Sequence, residues 1–314
     1  MRVLHGLASL TQRAAGPEGL ASRAVVCVGV FDGVHLGHQR LLHELVEMAA
    51  RLGAVPTVVT FAEHPGQLLR GEAPPMLVSV PHRLRLLRRA GVETVLLLDF
   101  AEVRELSAAA FARQVLSDGL RAIGFLLGYD SALGRDREGD AATMRDLGRE
   151  LGFDVQLAAR FEIEGGPVSS TRIRTAIGAG DLATAHRLLG RWPSALGTVV
   201  RGDGRGAGLG FPTANLASET PTLPPEGVYA AIVLHEGEPR PAVANLGRRP
   251  TIGDGGTEAR LEVHLLDFEG DLYGAKLEVC FQARLRDEQR FADLDALCAQ
   301  IGRDAARARE LLGS

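Results

Sequence analysis

The stretch that decides the fold of the first part of this chain is Val25–Gly53, VVCVGVFDGVHLGHQRLLHELVEMAARLG. Its first six residues, Val25–Val30, form an unbroken apolar run, which is typical of a central strand in a parallel sheet. A turn-rich segment follows, and Gln39–Leu52 then carries apolar residues at helical spacing. Gly53 is placed to end that helix. A buried strand, a turn and an amphipathic helix in this order predict the opening of a βαβ unit.

Strands and helices continue to alternate beyond Gly53. Ser107 is predicted to cap a helix that Gly119 ends. This alternation predicts an α/β domain with a parallel sheet and helices on both faces. The later strands are predicted at Val55–Phe61, Val95–Leu98, Gly124–Leu127 and Val155–Ala158, with a further helix over Arg145–Leu151.

The residues after Pro193 have a different pattern, because short β-type runs broken by Gly and Pro replace the alternation. In Leu261–Leu266 and Lys276–Phe281, apolar and polar residues partly alternate with the two-residue period of a half-buried strand. Several such strands at short intervals predict a small antiparallel β-barrel. Phe291–Leu312 is predicted to form a C-terminal helix after the barrel.

The composition is that of a globular protein with room for two domains. The chain has 314 residues, of which 46% are hydrophobic and 24% charged, so extensive disorder is excluded. We predict domains of residues 1–188 and 189–314, divided near the end of a helix over Asp181–Leu189. The net charge of −4 argues against a protein whose whole surface grips nucleic acid.

Cysteine usage and hydropathy predict where the protein works. Cys27, Cys280 and Cys298 are far apart and lack metal-ligand spacing, which indicates a reducing compartment. No apolar run approaches the roughly 20 residues that span a bilayer, and the first residues do not form a signal-peptide pattern. We therefore expect a cytoplasmic protein with neither a membrane nor a nucleic-acid partner. Self-association is left open.

The first candidate site is GVFDGVHLGH, which joins the first buried strand to its helix. Ligands of open α/β sheets bind beyond the carboxyl ends of the strands, and a helix N-terminus suits phosphate. His35 and His38 are three residues apart and can face one point, where imidazoles can stabilise charge on an α-phosphate. Two surface histidines on a loop are the alternative. The other residues predicted to bind a nucleotide here are Gly29, Phe31, Asp32, Gly33 and Gly37.

The tetrapeptide HLGH resembles the H-x-G-H signature of the nucleotidyltransferase superfamily. The longer string resembles the amino-terminal module of the bacterial bifunctional riboflavin kinase/FAD synthetase family. SSTRIR, at a predicted helix start, resembles the second nucleotide motif of that family, where hydroxyls, N–H groups and arginines can hold phosphate. The resemblance implies a Rossmann-like nucleotidyltransferase domain whose second motif binds the nucleotide through Ser169, Ser170, Thr171, Arg172 and Arg174.

Two looser matches lie between these motifs. His64 lies in FAEHP, which resembles the family's F-x-P-H-P turn with a glutamate in place of the first proline. Asp130 lies in GYDSALGR, where the family has G-x-D-F-x-F-G and a basic residue, so Ser131 and Leu133 replace two aromatic residues. The resemblance implies that His64 and Asp130 contact the flavin, in a pocket that departs from the family pattern.

The densest signal in the chain is Gly197–Asn215, GTVVRGDGRGAGLGFPTAN. The N–H groups of a glycine-rich loop can wrap phosphates, and this one lacks the Gly-Lys-Ser/Thr ending of a Walker A loop. Thr213 and Asn215 supply hard oxygen ligands that suit Mg²⁺. The residues predicted to bind a nucleotide in this loop are Gly202, Gly204, Arg205, Gly206, Gly208 and Gly210.

This string resembles the riboflavin kinase module, including its P-T-A-N motif, and further matches follow in family order. The resemblance implies that Glu262 is the general base on the ribityl 5′-hydroxyl, a role that suits a carboxylate at the inner end of a barrel strand. Without the motif, Glu262 would be a solvated strand residue. His264, two residues on, is interpreted as packing. Flavin contacts are implied for Asn245 and Arg286.

The resemblance spans about residues 23–309 and implies a bifunctional enzyme of FAD biosynthesis. Riboflavin is phosphorylated by MgATP to FMN, and a second ATP adenylylates FMN to FAD with release of pyrophosphate. A monofunctional riboflavin kinase with an impaired adenylyltransferase domain is the alternative, because Ser131 and Leu133 depart from the pattern. A nucleotidyltransferase with another phosphorylated acceptor and a non-catalytic flavin-binding protein are further alternatives.

Overall fold

A computed structural model describes residues 1–10, 23–163, 165–201, 211–250 and 257–313. The chain divides into two compact units. The first contains Met1–Pro75 and Val80–Ser169, and the second contains Met76–Ser79 and Ser170–Ser314. By its contacts the chain divides after Ser169, whereas the sequence predicts domains that divide at residue 188. The helix that contains residue 188 contacts the strands that follow it.

The first unit is built on one sheet of six parallel strands. These are β1 (Arg2–His5), β2 (Ala24–Val28), β3 (Val55–Phe61), β4 (Thr94–Leu98), β5 (Ala122–Leu127) and β6 (Asp154–Leu157). They are hydrogen-bonded in the order β1-β4-β3-β2-β5-β6. The predicted parallel α/β architecture is confirmed, and β1 at one edge is a strand that the sequence pattern missed.

Helices cover both faces of this sheet. The buried side of the first helix carries Leu42, Leu45 and Met48, and it packs against the sheet face that carries Val25. The opposite face of the sheet packs against an apolar cluster that includes Leu116. The helices of this unit are α1 (Leu36–Leu52), α2 (Pro65–Arg70), α3 (Val80–Arg89), α4 (Ala108–Phe111) and α5 (Ala141–Leu151), α4 continues as a π-helix over Ala112–Gly119, and a small hairpin pairs β7 (Glu162–Ile163) with β8 (Gly166–Pro167).

Several predicted boundaries in the first unit shift by a few residues, and two of these shifts have a local reason. Strand β2 ends at Val28 and not at Val30, because the chain leaves the sheet at Gly29. Helix α1 begins at Leu36, three residues earlier than predicted, because His35 is its N-cap. The predicted cap at Ser107 is confirmed, since its hydroxyl accepts a hydrogen bond from the Ala110 N–H at 3.1 Å.

The second unit is a closed antiparallel barrel with helices before and after it. Its strands run in the order β10-β13-β12-β11-β14-β9, and each is antiparallel to its neighbours. The elements are α6 (Ser170–Gly178), α7 (Leu182–Leu189), β9 (Ser194–Val200), β10 (Ala214–Ser218), β11 (Gly227–His235), β12 (Glu238–Pro250), β13 (Thr257–Leu265), β14 (Lys276–Arg286) and α8 (Leu294–Leu312). The predicted barrel and C-terminal helix are confirmed.

Alternation along the strands separates the inside of the barrel from its outside. The interior is filled by apolar side chains such as Leu216, Val263 and Leu246, all nearly fully buried. The neighbouring residues point outward, and part of that outer surface is covered by α8 through Ala305 and Ala308. In the described part of the chain, no helix is both long and apolar enough to cross a membrane.

Candidate functional site

The first candidate site lies where the order of the parallel strands reverses. Strand β2 is central, and the chain runs to β3 on one side and to β5 on the other. Ligands of open α/β sheets bind at such a switch point, beyond the carboxyl ends of the strands. The segment that leaves β2 here is Gly29–His38, so the topology places the predicted nucleotide-binding turn where the fold favours a ligand.

The turn itself has an unusual backbone. Phe31, Gly33 and Val34 have φ angles of 51°, 74° and 41°, a backbone region that residues other than glycine rarely occupy. The Phe31 ring is buried, with 1% of its surface exposed, and Asp32 is 2% exposed. Packing therefore holds the turn in a conformation that the isolated segment would rarely adopt. A Cβ on Gly29 would lie 3.1 Å from the Phe31 ring, so this glycine allows the ring to fold back on its own strand.

The structure brings the two histidines together as predicted. The rings of His35 and His38 are stacked, with centroids 3.6 Å apart and planes inclined by 14°. His35 is the N-cap of α1, and its Nδ1 accepts a hydrogen bond from the His38 N–H at 3.3 Å. The pair stands at a helix N-terminus, which favours a phosphate group. A Cβ on Gly37 would lie 3.3 Å from the His35 ring, so glycine permits this close packing.

The other predicted residues of the nucleotide and flavin sites lie on separate elements. His64 caps α2, accepting a hydrogen bond from the Gly66 N–H at 3.0 Å. Asp130 is exposed in the loop after β5, and its backbone carbonyl accepts a hydrogen bond from Arg137. Ser169 ends the first unit, whereas the rest of the SSTRIR motif opens α6 in the second: Ser170, Thr171, Arg172 and Arg174.

The second candidate site is a row of polar residues on the outside of the barrel. Asn215 on β10 and Asn245 on β12 are both direct cross-strand partners of Glu262 on β13. The three side chains therefore share one face, at the spacing of adjacent strands. Glu262 was expected at the inner end of its strand. The structure instead has it on the outer face, with 25% of its side chain exposed, because the inner face is filled by apolar packing.

Two further residues share this face, of which Arg260 was not predicted. Arg260 forms an ion pair with Glu262, and its Nη2 lies 3.4 Å from the Oδ1 atom of Asn215. His264, interpreted as packing, has its Nδ1 2.8 Å from the Pro212 carbonyl and meets the Phe211 ring edge to face. Both stand two residues from Glu262, and the two-residue period of a strand is the signal that places them on its face.

Two cavities lie in the barrel unit, and only the second of them is lined by a residue of this row. One of about 300 Å³ is lined by Thr213, by apolar residues of the barrel interior such as Val263, and by Asp271 and Tyr273. The other, of about 350 Å³, is lined by Asn245 and Arg286 together with residues 288–290. The Oδ1 atom of Asn245 is buried and makes no hydrogen bond within the described residues. Buried polar atoms are normally paired, so this atom marks a place for a ligand donor.

Arg286 is held firmly at the edge of the second cavity. Its Nε and Nη2 atoms both bond to the Asp304 carboxylate, at distances of 2.8–3.2 Å. Gln300 donates a further hydrogen bond to Asp304 at 2.8 Å. The glycine-rich loop, with Gly202, Gly204, Arg205, Gly206, Gly208 and Gly210, lies outside the residues that the structure describes.

Known protein families match the chain over the two regions that hold the candidate sites. A family model described as FAD synthetase matches residues 18–172, and one described as riboflavin kinase matches residues 189–312. A Pseudomonas fluorescens protein named bifunctional riboflavin kinase/FMN adenylyltransferase is 41% identical over 313 residues, covering 99% of this chain and 98% of that protein. The chain belongs to the bifunctional riboflavin kinase/FMN adenylyltransferase family.

Another curated relative and a solved structure extend the match. The Escherichia coli (strain K12) member is 40% identical over 316 residues, covering 100% of this chain and 98% of its own. A solved chain from Streptococcus pneumoniae, described as a macrolide-efflux protein, is 32% identical with a TM-score of 0.82, covering 98% of this chain and 99% of that one. Both enzymatic domains of the family are present in one chain, which disfavours the monofunctional kinase.

Proposed function

We propose that this chain makes FAD from riboflavin in two steps, using residues 189–314 as the kinase and residues 1–188 as the adenylyltransferase. The observation that carries the proposal is that the two matched family models follow each other along one chain. Each model covers one of the two candidate sites. Riboflavin, FMN and ATP are the substrates, and FMN is the product of the first step and the substrate of the second.

In the kinase step, the ribityl 5′-hydroxyl of riboflavin attacks the γ-phosphorus of ATP, and ADP leaves. Glu262 accepts the hydroxyl proton as general base. Phosphoryl transfer of this kind depends on positioning and charge stabilisation. Arg260, which contacts both Glu262 and Asn215, orients the carboxylate. Asn245, with its unpaired buried oxygen, and Arg286 bind the flavin in the cavity that they line.

The donor set of the kinase site fits a magnesium ion. Thr213 and Asn215 offer two neutral oxygen ligands, and Mg²⁺ is commonly held by few protein oxygens together with substrate phosphates and water. Thr213 is exposed to its cavity, and the contact of Arg260 with Asn215 is long at 3.4 Å. When bound, the ion neutralises charge on the phosphates of ATP. The glycines of residues 202–210 are the proposed contacts of those phosphates, and they lie outside the described residues.

In the adenylyl step, a phosphate oxygen of FMN attacks the α-phosphorus of ATP. A P–O–P bond forms to the adenylyl group, and the bond to the departing pyrophosphate breaks. His35 and His38, at the N-terminus of α1, stabilise charge on the transferring phosphate. The α1 terminus and its turn bind the nucleotide, His64 and Asp130 contact the flavin, and the pyrophosphate is held by Ser169, Ser170, Thr171, Arg172 and Arg174.

A cytoplasmic location and the lack of a nucleic-acid partner belong to the same proposal. The widely spaced cysteines fit a reducing compartment. Cys27 is fully buried in β2, and burial raises the pKa of its thiol far above the ordinary value. The thiol is therefore inert packing. The net charge of −4 supports small-molecule substrates over a polyanion.

The test is Glu262→Gln, assayed in the full chain with riboflavin and MgATP and separately with FMN and MgATP. We expect FMN formation to fall by about 10²–10⁴-fold, the range of general-base contributions. FAD formation from supplied FMN should be unchanged. Chromatography of the flavins measures both. Loss of both reactions in the variant, or no FAD from the unchanged chain, would contradict the two-site assignment.

A further inference from the structure

One charged side chain of the first unit is buried completely. Arg83 on α3 has 0% of its surface exposed. Its Nη1 donates to the Val30 carbonyl at 2.8 Å, and its Nη2 donates to the Phe61 carbonyl. Nothing in the proposed mechanism uses this guanidinium. Its two acceptors lie 31 residues apart in the chain. Val30 lies just beyond the end of β2, and Phe61 is the last residue of the neighbouring parallel strand β3.

Those two carbonyls begin the two loops that carry proposed substrate contacts. Val30 precedes the left-handed turn that leads to His35 at the N-terminus of α1. Phe61 ends β3 and precedes His64, the N-cap of α2. The Val30 carbonyl also accepts a hydrogen bond from Thr60 at 3.1 Å. The planar fork of Arg83 thus ties the nucleotide turn to the flavin turn at fixed spacing.

The charge of Arg83 is retained despite its burial. Burial lowers its pKa to about 10, and the nearby Asp32 carboxylate partly offsets this effect. The guanidinium is therefore protonated at neutral pH. Asp32 belongs to the same turn and is 2% exposed. A buried charge is a poor source of stability, because an apolar residue of similar volume is often neutral or stabilising by comparison.

We propose that Arg83 is a positioning residue for adenylyl transfer, holding the turn of His35 and the turn of His64 at the spacing that the reaction requires. This inference rests on the proposed roles of those two histidines. A misplacement of about 1 Å can cost about 10²-fold in rate. Arg83 acts through the two backbone carbonyls and does not touch the substrates.

The test compares Arg83→Met and Arg83→Lys with the matched control Arg88→Met, which removes an exposed arginine from the same helix. Each full-length variant is assayed for FAD formation from FMN and ATP and for FMN formation from riboflavin. Circular dichroism gives the unfolding temperature, and rates are measured well below it. Measuring well below the unfolding temperature separates a rate that falls because the two turns are misplaced from a rate that falls because less protein is folded.

We expect Arg83→Met to lose about 10²-fold in kcat for adenylyl transfer, with a smaller change in KM for ATP. Arg83→Lys should recover part of that rate, because an ammonium group can still donate to a carbonyl. Kinase activity and the Arg88→Met control should be unchanged. If Arg83→Met does not fold, a folded Arg83→Lys with reduced kcat and intact kinase activity supports the inference.

The inference is overturned if folded Arg83→Met, or in its absence folded Arg83→Lys, adenylylates FMN as the unchanged chain does. It is also overturned if lysine restores nothing relative to methionine. The proposed function fails in a different way: the unchanged chain makes no FAD from FMN, or His35→Asn makes it undiminished. The two failures are therefore distinguishable in one set of assays.

Discussion

At the scale of single residues, the proposed adenylyl site contains a histidine with two roles, one structural and one proposed for the chemistry. His35 caps α1 through Nδ1, which accepts the His38 N–H. A ring nitrogen that accepts a hydrogen bond carries no proton, so the proton of a neutral imidazole lies on Nε2. The cap thereby fixes the tautomer in which Nε2 can donate to a phosphate. The capping hydrogen bond uses Nδ1, and the proposed contact with phosphate uses Nε2 on the other side of the same ring.

These two tasks can be separated by substitution. Asparagine is among the best N-cap residues, whereas alanine is not. We expect His35→Asn to keep the stability of the unchanged chain and to lose about 10²–10³-fold in adenylyl transfer, as when one charge-stabilising donor is removed. His35→Ala should lose the same activity and about 1 kcal/mol of stability as well. Denaturant titration and the FMN assay measure the two effects. Equal stability of the two variants would contradict the capping role.

At the scale of elements, the C-terminal helix is anchored beside the cavity proposed to bind the flavin. Asp304 on α8 is joined to Arg286 at the end of β14, with side-chain exposures of 7% and 19%. The pair therefore positions both the helix and the residues that follow β14. By contrast, Arg307 and Glu310 on the same helix form an ion pair that is mostly exposed, and such pairs contribute little.

This contrast predicts different results for two neutralising substitutions on one helix. We expect Asp304→Asn to destabilise the chain by about 2 kcal/mol, since it leaves a partly buried guanidinium without its counter-charge. It should also raise KM for riboflavin more than KM for ATP, because Arg286 loses its fixed position. Glu310→Gln is the control and should change neither. Chemical denaturation and kinase kinetics measure these quantities, and equal effects on both KM values would contradict the flavin role of Arg286.

At the scale of the whole molecule, each compact unit has a core of its own. The first unit packs a large apolar cluster against its parallel sheet, and the second fills the inside of its barrel. The two proposed reactions share FMN, which is the product of one and the substrate of the other. A defect in one site should therefore be repaired by an intact copy of that site on another chain.

We expect a mixture of the Glu262→Gln and His35→Asn chains to make FAD from riboflavin, although neither makes it efficiently alone. The second chain supplies FMN, and the first adenylylates it. The measurement is FAD formation over time at increasing concentrations of both chains. The control is each variant at the total protein concentration of the mixture. No FAD from a mixture in which FMN accumulates would contradict the exchange of FMN through solution.

Local features and their order could be predicted from the amino-acid sequence. The apolar run before His35, the helical spacing up to Gly53 and the cap at Ser107 depend on near neighbours, so periodicity and residue type suffice to predict them. The two halves that carry the motifs could be recognised in the same way, since HLGH and PTAN are each a short unbroken stretch of sequence. The short edge strand β1 lacked such a signal and was missed.

Contacts between residues far apart in the chain could not be predicted in this way and became visible only in the folded molecule. Strand register aligns Asn215, Glu262 and Asn245 on the outer face of the barrel, and a shift of one residue would turn each side chain to the other face. The same holds for Arg83, whose acceptors Val30 and Phe61 become neighbours only when two parallel strands pair. Register and burial depend on contacts between residues far apart in the chain, and no local pattern encodes them.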